Sequence, residues 1–431
     1  MKRLTAIILV VLTILSITSC AREGWKMTSP SKTIEDNSIT YIYDKFTGKK
    51  IENIYLEHGQ RPEIMFNVES ISGSLDVFIQ DEYGKTVYEN YDIQSGEFLV
   101  ELSRAGDYKV ILNAEDHVGS YNMTWSLPKA SSDEYVNPYE NLAGGKWLKA
   151  NFHTHAGTGP GTCGVNPQDV VIETYKQLGY ELLTISNHDI FTDTSDFTDD
   201  KILMIPGVEY SPSSKGHMLT IGITQSLHEH TNQKAIEMTN EMGGFVVLAH
   251  PNWGRQGYWP LNELLSLKGY IGIEVINQLI YRLSGSGLAT NAWDFLLSRG
   301  KLVYGFGNDD LHALGDAGRS FNIIYCKERT WESMKEAIDN GQFVASTGLY
   351  PEYLVLDGDT IRVKASYPID TYVDTFTYRF IENGKVLSEQ TAREGVYKLN
   401  GEKYVRVEVI GENGAMLFFQ PVYLKDTLVK P

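Results

Sequence analysis

The chain has 431 residues, enough for two to four domains of ordinary size. Hydrophobic residues make up 42% and charged residues 22%, which excludes extensive disorder and a low-complexity fibre. Acidic residues outnumber basic residues by 55 to 38, and the formal charge of -17 repels phosphate backbones. A nucleic-acid duplex is therefore excluded as a bulk electrostatic partner, whereas a small anion can still bind in a locally cationic or metal-bearing pocket.

The first 20 residues have the features of a bacterial export signal. Lys2 and Arg3 precede an apolar run over residues 4–17, which is too short for a comfortable membrane span. Residues 17–20 read ITSC and resemble a lipobox. The resemblance implies cleavage of the signal peptide 1–19 before Cys20, a lipid on its thiol, and an exported protein anchored to a bacterial membrane on its periplasmic or cell-surface face. The alternative is an ordinary signal peptide followed by an unrelated cysteine.

Residues 39–128 predict an N-terminal β-sandwich accessory domain, between a tether at 20–38 and a linker at 129–145. Short alternating apolar runs, separated by turn residues and without a helical period, occur at 75–79, 98–102 and 108–112. Strands at this spacing indicate a small antiparallel sandwich. Residues 105–108 (AGDY) and 119–121 (GSY) resemble segments of the jelly-roll-like accessory domains of secreted bacterial hydrolases. A glycan or a protein is the candidate partner of the β-domains.

From residue 146 to 348, apolar strand-like runs alternate with helical segments, which is typical of parallel α/β architecture. The runs are 148–152, 181–186, 202–208, 218–224, 245–249, 271–276 and 302–306. One helix is predicted from Asn166 as N-cap to Gly179, and another from Thr330 to Gly341. Seven strand candidates in about 200 residues favour a barrel. Hairpin patterns over 349–431 predict a small C-terminal β domain.

Histidines and carboxylates follow several of these runs. They are His153 and His155, His188, Glu209, His250, and Asp310 with His312. In a β/α barrel the C-terminal strand ends converge on one face, where active sites are built. Imidazole and carboxylate together select divalent metals such as Zn, Mn or Fe. A single histidine after a strand is more often structural, but such a series of strand ends predicts a metal site.

These motifs, in this order, resemble those of the PHP (polymerase and histidinol phosphatase) metallohydrolases over about residues 147–348. The matching segments are HTH at 153–155, SNHD at 186–189, PGVE at 206–209, GHML at 216–219, LAHP at 248–251, GIEVIN at 272–277 and DLH at 310–312. The resemblance implies a distorted (β/α)7 barrel and metal-dependent hydrolysis of phosphate esters. The β-rich tail also resembles the end of a subgroup of such proteins.

Carried over to this chain, the resemblance implies two or three divalent metal ions (Zn, Mn or Fe). The residues implied for a first ion are His153, His155, Glu209 and Asp310. Those implied for a second ion are His217 and His250, with Glu209 as a bridge. Such ions lower the pKa of a bridging water and neutralise phosphate oxygens, so an acidic protein can accept an anionic substrate. Asp309 is the neighbouring carboxylate and the alternative to Asp310.

The third metal position departs from the family pattern. The resemblance implies His188 and His312 with an aspartate or histidine shortly after the first motif, but Cys163 stands there in a lengthened loop. Cys163 is either a thiolate ligand, which would favour zinc, or an ordinary loop cysteine. His228 and His230 lie in a polar stretch without a preceding strand, so we interpret them as solvated surface residues.

Further side chains are candidates for catalysis and substrate binding. Those that could protonate a leaving alkoxide are Asp189, His188 and His312. Those that could bind a small phosphorylated or otherwise anionic substrate are Arg255 and Trp253, with Arg282 and Arg319 as further anion-binding candidates. The alternative for Trp253 and its neighbour Trp259 is that they pack the loop.

The leading functional interpretation is a phosphoesterase that hydrolyses a small phosphate monoester or diester with a metal-activated water. One alternative is a metal-dependent amide or ester hydrolase of the same fold. Another is a catalytically inactive surface lipoprotein that binds a glycan or protein partner. The nearly complete ligand set argues against an inactive protein, because a degenerate barrel would have lost several ligands.

We expect Cys20→Ala to release the protein from the membrane fraction without changing its catalytic activity, because the thiol is the predicted lipid acceptor. Fractionation in detergent-free buffer, with activity measured in each fraction, checks this. Retention of the variant in washed membranes would contradict the lipobox interpretation.

Overall fold

The computed structural model describes residues 24–35, 37–56, 62–102, 106–125, 134–212, 216–227, 231–255, 258–369 and 373–431. The chain is rich in β-sheet and divides into two compact units. The second unit comprises Leu56–Glu63, Glu101–Gly106 and Ser126–Pro431, and the first comprises the remainder. Cys20, His228 and His230 lie outside the described residues. Across the described ranges, every helix is too short or too polar to span a bilayer.

The described residues of the first unit form one sheet. Its strands are β1 (Trp25–Thr28), β2 (Ser31–Glu35), β3 (Ser38–Leu56), β4 (Glu63–Asp81), β5 (Thr86–Asn90), β6 (Gly96–Glu101) and β7 (Gly106–Trp125). The strand order is β1-β3-β7-β4-β5, with β2 paired to β3 and β6 paired to β4. The pairs β1–β3, β2–β3, β4–β5 and β4–β7 are antiparallel. The two-layer sandwich expected for 39–128 stays a prediction.

The second unit contains the region of the predicted metal site. Its strands within the described residues are β8 (Tyr135–Val136), β9 (Lys146–Asn151), β10 (Leu182–Leu183), β11 (Leu203–Met204), β12 (Gly207–Tyr210), β13 (Met218–Ile221), β14 (Phe245–Leu248), β15 (Gly272–Asn277), β16 (Tyr304–Asn308), β17 (Phe321–Cys326), β18 (Phe343–Ser346), β19 (Tyr350–Asp357), β20 (Thr360–Ser366), β21 (Phe376–Glu382), β22 (Lys385–Ala392), β23 (Gly395–Lys398), β24 (Tyr404–Ile410), β25 (Met416–Phe419) and β26 (Val422–Leu424). Its α-helices are α1 (Gln168–Gln177), α2 (Asn232–Glu241), α3 (Leu261–Ser266), α4 (Thr290–Leu297) and α5 (Trp331–Asp339). Short 3₁₀ helices lie at Ser195–Phe197, Leu279–Arg282 and Leu314–Asp316.

The distorted (β/α)7 barrel predicted for residues 146–348 is not shown by this arrangement. Strands β12 to β16 form a five-stranded sheet in chain order, whereas β9, β10, β11, β17 and β18 belong to an eleven-stranded sheet. Strand β13 is antiparallel to both β12 and β14. Strand β13 runs opposite to β12 because only residues 211–217 connect the two strands, whereas a parallel crossover needs about a dozen residues or more. The pairs β9–β10, β10–β11, β14–β15 and β15–β16 are parallel, as the pattern predicts.

The predicted helices occur with small shifts at their starts. Helix α1 begins at Gln168, and its N-cap is Pro167 rather than Asn166. The helix is followed by Gly179, whose φ of 76° suits the left-handed conformation common after helices. Helix α5 has Thr330 as N-cap, and the Thr330 hydroxyl accepts a hydrogen bond from the Ser333 amide.

Residues 349–431, predicted as a separate C-terminal domain, contribute strands to the same eleven-stranded sheet. Strand β25 pairs antiparallel with β18, so the sheet continues across the predicted boundary at residue 348. The fully buried side chain of Gln420 accepts a hydrogen bond from the Gly305 amide at 2.8 Å and donates one to the Gly305 carbonyl at 2.9 Å. Gly305 lies in β16, an end strand of the five-stranded sheet, so Gln420 replaces the missing strand neighbour.

A buried ionic cluster connects α4 with β24. The Arg406 guanidinium donates to both Asp294 oxygens, at 2.7 and 2.6 Å, and to Glu408. All three side chains are buried, and the Tyr404 hydroxyl also donates to Asp294. Because two carboxylates share one cation away from water, loss of Arg406 would leave uncompensated buried charge.

We expect Arg406→Met to lower the free energy of unfolding by about 3–5 kcal/mol, because the methionine retains the apolar stem but not the charge. Urea titration monitored by circular dichroism measures this change. The matched control is Arg379→Met, since Arg379 pairs with Glu389 at 2.6 Å on the partly exposed surface of β21 and β22. This variant should lose less than about 1 kcal/mol. Equal losses in the two variants would refute the role assigned to burial.

Candidate metal centre

Backbone pairing between loops brings the predicted ligands together. The His155 amide donates to the Leu311 carbonyl, and the Asp189 amide donates to the Glu209 carbonyl, both at 2.9 Å. The segment after β9 therefore runs beside the segment after β16, and the segment after β10 runs beside β12. Ligand-bearing segments that are distant in sequence converge because neighbouring strands deliver them to one place.

Three residues next to these strand ends hold left-handed backbone conformations without being glycine. Their φ angles are 53° at Asp189, 33° at His250 and 52° at Asp310. Such conformations cost about 1–3 kcal/mol each and persist only where the surrounding contacts impose them. At His250 one such contact is the hydrogen bond from its amide to Glu274, at 2.8 Å.

Glu209 lies at the centre of the cluster, and its side chain is completely buried. The imidazole nitrogens near its two carboxylate oxygens are His217 Nδ1 at 2.8 Å, His188 Nδ1 at 2.9 Å, His153 Nε2 and His250 Nε2 at 3.1 Å, and His155 Nε2 at 3.2 Å. Burial favours the protonated acid, but the imidazoles of His153, His188 and His217 outweigh it and hold the pKa of Glu209 well below its usual range. The carboxylate is therefore ionised.

Asp310 provides a second carboxylate to the same imidazoles. Its Oδ1 atom lies 3.2 Å from Nε2 of both His153 and His155. Burial opposes its ionisation, but these two histidines lower the pKa of Asp310. Conversely, burial works against protonated imidazoles, while the carboxylates raise the pKa of His153 and His155 well above the usual value. The cluster thus stabilises positive charge between its carboxylates.

Five of these converging atoms are buried without a hydrogen-bond partner among the described residues. They are Nε2 of His153, Nε2 of His155, Nδ1 of His188, Oε2 of Glu209 and Oδ1 of Asp310. An unpartnered buried polar atom costs about 1–3 kcal/mol, so five together need a reason. Ligands about 2.1 Å from a divalent ion lie roughly 3.0–3.4 Å apart, close to the observed separations of 2.8–3.2 Å. The donor set and its spacing fit divalent metal ions.

Ligand atoms within 4.8 Å of one another form four candidate metal-binding groups. These groups are His153, His155 and Glu209; His153, His250 and Asp310; His188, Glu209 and His217; and His155, Cys163, His188 and His312. Their members are the nine residues predicted as ligands from the sequence. The structure therefore brings the whole predicted set together, and metal binding by each member stays a prediction.

Cys163 lies at the exposed side of the cluster. Its sulfur is 3.5 Å from His155 Nδ1 and 3.4 Å from His312 Nε2. Burial of the sulfur favours the neutral thiol, but hydrogen bonds from the imidazoles of His155, His188 and His312 outweigh it and lower the pKa of Cys163 to about 4. A thiolate at neutral pH is the form that binds zinc. The contacts favour a role in the cluster over that of an ordinary loop cysteine.

Sequence reasoning assigned no role to Glu274, which the structure places directly behind His153. Its Oε1 atom is 2.9 Å from His153 Nδ1, on the ring edge opposite the cluster. Its other donors are the His250 amide and the side chains of Asn277 and Asn308. The carboxylate accepts the Nδ1 proton of His153, so Nε2 is the nitrogen that faces Glu209 and Asp310 and would bind a metal. The available signals were a single charge within the apolar strand β15 and its place in the matching segment GIEVIN.

The aromatic residues after β14 divide into two groups. Tyr258 and Trp259 are buried: the Tyr258 hydroxyl lies 2.9 Å from His250 Nδ1 and accepts from the His217 amide, while the Trp259 indole donates to the Ala249 carbonyl. Trp259 therefore packs the loop, whereas Tyr258 positions two candidate ligands. Trp253 is half-buried and packs edge-on against His250, with ring centroids 5.3 Å apart.

Other predicted residues lie outside the cluster. Both Asp189 oxygens accept hydrogen bonds from Ser211, at 2.8 and 2.5 Å. Asp309 accepts from the Tyr175 hydroxyl and from the amides of 318–320, so Asp310 alone of this pair faces the histidines. The Arg319 guanidinium donates to the Gly315 carbonyl, and Arg255 stacks on Trp253 at 4.9 Å.

A pocket of about 240 Å³ opens over the candidate ligands. Its lining contains five of them, namely His188, His217, His250, Asp310 and His312. The remaining lining residues are Trp253, Leu279, Ile280, Arg282 and Leu283. Arg282 is the arginine among the described lining residues, although the sequence favoured Arg255 as the anion-binding candidate. The pocket can hold a small molecule against the cluster.

No protein-family model matches the chain, and no curated protein matches it. Among solved structures, a two-domain protein from Bacteroides vulgatus that contains a predicted PHP-like metal-dependent phosphoesterase is 17% identical, with 70% of this chain and 96% of that chain covered and a TM-score of 0.40. Endonuclease Q bound to a 27-mer duplex with an abasic lesion is 15% identical, with coverage of 45% and 56% and a TM-score of 0.36. The lesion-specific endonuclease Q of Pyrococcus furiosus is 15% identical, with coverage of 44% and 56% and a TM-score of 0.34. Because these TM-scores are low, the chemistry of the site is argued only from the geometry of this chain's own side chains.

We expect Glu274→Gln to weaken metal binding about 10- to 100-fold, because an amide cannot accept from all the donors that surround Glu274. Competition with a chelating dye measures the affinity for Zn²⁺, and circular dichroism confirms folding. Glu332→Gln, on the exposed side of α5, is the matched control and should bind metal normally. Normal affinity in Glu274→Gln would remove this residue from the site.

We expect metal to protect Cys163 from alkylation, with a chelator exposing one fast-reacting thiol. Cys326 serves as the internal control, because burial raises the pKa of its thiol to about 12 and it should react slowly throughout. Mass spectrometry of iodoacetamide-treated peptides gives both rates. Equal alkylation of Cys163 with and without metal would contradict a thiolate ligand. Cys163→Asp should shift preference from zinc toward manganese, because carboxylate is the harder ligand.

Proposed function

We propose that this chain is a PHP-type metal-dependent phosphoesterase that hydrolyses a small phosphate ester. The observation that carries the proposal is the convergence of five buried, unpartnered ligand atoms, namely three imidazole nitrogens and one oxygen each of Glu209 and Asp310. The order of the sequence motifs and the pocket above the cluster support it. We also propose that the strands around the site correspond to the distorted barrel of that family.

Two or three ions are proposed, of Zn, Mn or Fe. His153, His155, Glu209 and Asp310 would hold one ion, while Glu209, His217 and His250 would hold another. His188 and His312, with Cys163, would hold a third, and a thiolate there favours zinc. When bound, such ions supply Lewis-acid charge that activates water and neutralises anionic oxygens.

The side chains of the chain then have distinct tasks. Glu274 and Tyr258 orient His153 and His250 from behind, through contacts of 2.9 Å. His188 and His312 retain some solvent exposure at the pocket, so either can reach a leaving alkoxide. A ring nitrogen that binds a metal cannot also donate a proton, so His188 or His312 would act as an acid through its other nitrogen, or when the third position is not used. Water supplies the new phosphorus–oxygen bond, and its proton ends on the released alcohol.

The localisation and accessory domains are also proposals. Export and lipid attachment at Cys20 would place the enzyme on the periplasmic or cell-surface face of a bacterial membrane. The N-terminal region 39–128 would bind a glycan or a protein partner there. The formal charge of -17 supports a small substrate rather than a nucleic-acid duplex.

Glu209→Gln and His153→Ala should each reduce hydrolysis about 100-fold or more and lower the metal content of the purified protein, because Glu209 contacts all three ligand groups proposed here. Elemental analysis and hydrolysis of 4-nitrophenyl phosphate measure these effects. Glu241→Gln, exposed at the end of α2, should behave as the wild type.

Parallel assays with 4-nitrophenyl acetate and an anilide separate phosphoester hydrolysis from the ester and amide alternatives. Full turnover and unchanged metal content in Glu209→Gln would contradict the metal-centre proposal. Metal-loaded protein that cleaves only the acetate or anilide would replace the phosphoesterase by the alternative hydrolase.

A further inference from the structure

We infer that the substrate is a small phosphate ester whose alcohol part is apolar, bound with its phosphate at the metal centre and its organic group against Trp253, Leu279 and Leu283. This inference rests on the proposed function and goes beyond it, because it specifies the substrate class. The products are inorganic phosphate and an apolar alcohol.

The pocket wall facing the candidate ligands is apolar. Leu283 is 44% exposed, although it lies beside imidazoles and a carboxylate. Leu279 and Ile280, which are almost fully buried, and the half-buried Trp253 line the same pocket. A sugar or glycerol group would leave its hydroxyls facing this wall without partners, whereas an alkyl or aryl group would remove apolar surface from water.

The wall is held in place by the close approach of two loops. The Gly254 amide donates to the Ser284 carbonyl at 2.8 Å. A Cβ at Gly254 would lie 2.9 Å from the backbone of Ser284, and one at Gly285, where φ is 112°, would lie 2.2 Å from the Asn252 carbonyl oxygen. Only glycines permit this contact, so Trp253 and Leu283 are presented on a fixed surface.

Among the described lining residues, Arg282 provides the guanidinium that can complement the negative charge of the phosphate ester. Arg282 donates through Nε and Nη2 to Asp316, at 3.0 and 2.9 Å. Asp316 in turn accepts from the His312 and Ala313 amides, which fixes the guanidinium next to the cluster. The Nη1 edge is not used by Asp316 and can donate to a non-reacting phosphate oxygen.

The size of the pocket limits the organic group. A volume of about 240 Å³ is below the roughly 300–1,000 Å³ of sites for drug-sized ligands. The pocket therefore suits a short alkyl chain or a single ring together with the phosphate.

The test compares n-butyl phosphate with glycerol 1-phosphate on the metal-loaded enzyme, because the two leaving alcohols differ mainly in polarity. We expect KM to be about tenfold lower for butyl phosphate, with similar kcat. Leu283→Asn should remove this preference by raising KM for butyl phosphate alone. Leu261→Asn, at a leucine that is 41% exposed on α3, is the matched control and should retain it. Arg282→Met should raise KM for both esters.

Calorimetry of the metal-loaded protein with phenylphosphonate and methylphosphonate gives a readout independent of turnover. About tenfold tighter binding of phenylphosphonate is expected. If this preference appears but neither ester is hydrolysed, the proposed function fails and the apolar site stands. If both esters are hydrolysed with equal KM and the phosphonates bind equally, the inference is overturned and the phosphoesterase stands.

Discussion

A carboxylate that is completely removed from water must be compensated by nearby positive charge, and the rest of the site is arranged around one such group, Glu209. Five imidazoles approach its two oxygens, and Asp310 adds a second negative charge on the same side. Nitrogen lone pairs and carboxylate oxygens that face each other at 2.8–3.2 Å are stable only with a proton or a cation between them. The cluster therefore binds positive charge whether or not a substrate is present.

A layer of hydrogen bonds behind the cluster keeps these groups facing inward. Glu274 orients His153, and Asn308 connects Glu274 to the Phe152 amide at 3.0 Å. Asn277 donates to Glu274 and also, at 3.2 Å, to Asp310. Because each of these polar groups is buried, displacement of one leaves others without partners. The geometry of the candidate ligands is thus maintained by residues that would not touch a metal.

The ligands were predictable because their chemistry contrasts with the apolar runs that precede them, and because the motif order resembles a known family. The antiparallel direction of β13, which departs from the predicted barrel, was not predictable, since it depends on the length of the loop before the strand rather than on the strand's own pattern. Glu274 was missed because one carboxylate in an apolar strand does not reveal its partner. The sequence also could not show which arginine lines the pocket. The position of the 3₁₀ helix Leu279–Arg282 places Arg282 there, whereas Arg255 and Arg319 are not among the lining residues.

The contact of Gln420 with Gly305 also has a consequence for the order of folding. Gly305 lies in β16, the strand that leads directly to Asp310, and its backbone bonds are completed by a side chain near the end of the sequence. The chain must therefore be synthesised at least as far as Gln420, 115 residues beyond Gly305, before these two hydrogen bonds can form. Truncation before residue 420 would therefore leave the Gly305 amide and carbonyl without these hydrogen bonds, in the strand that leads to Asp310.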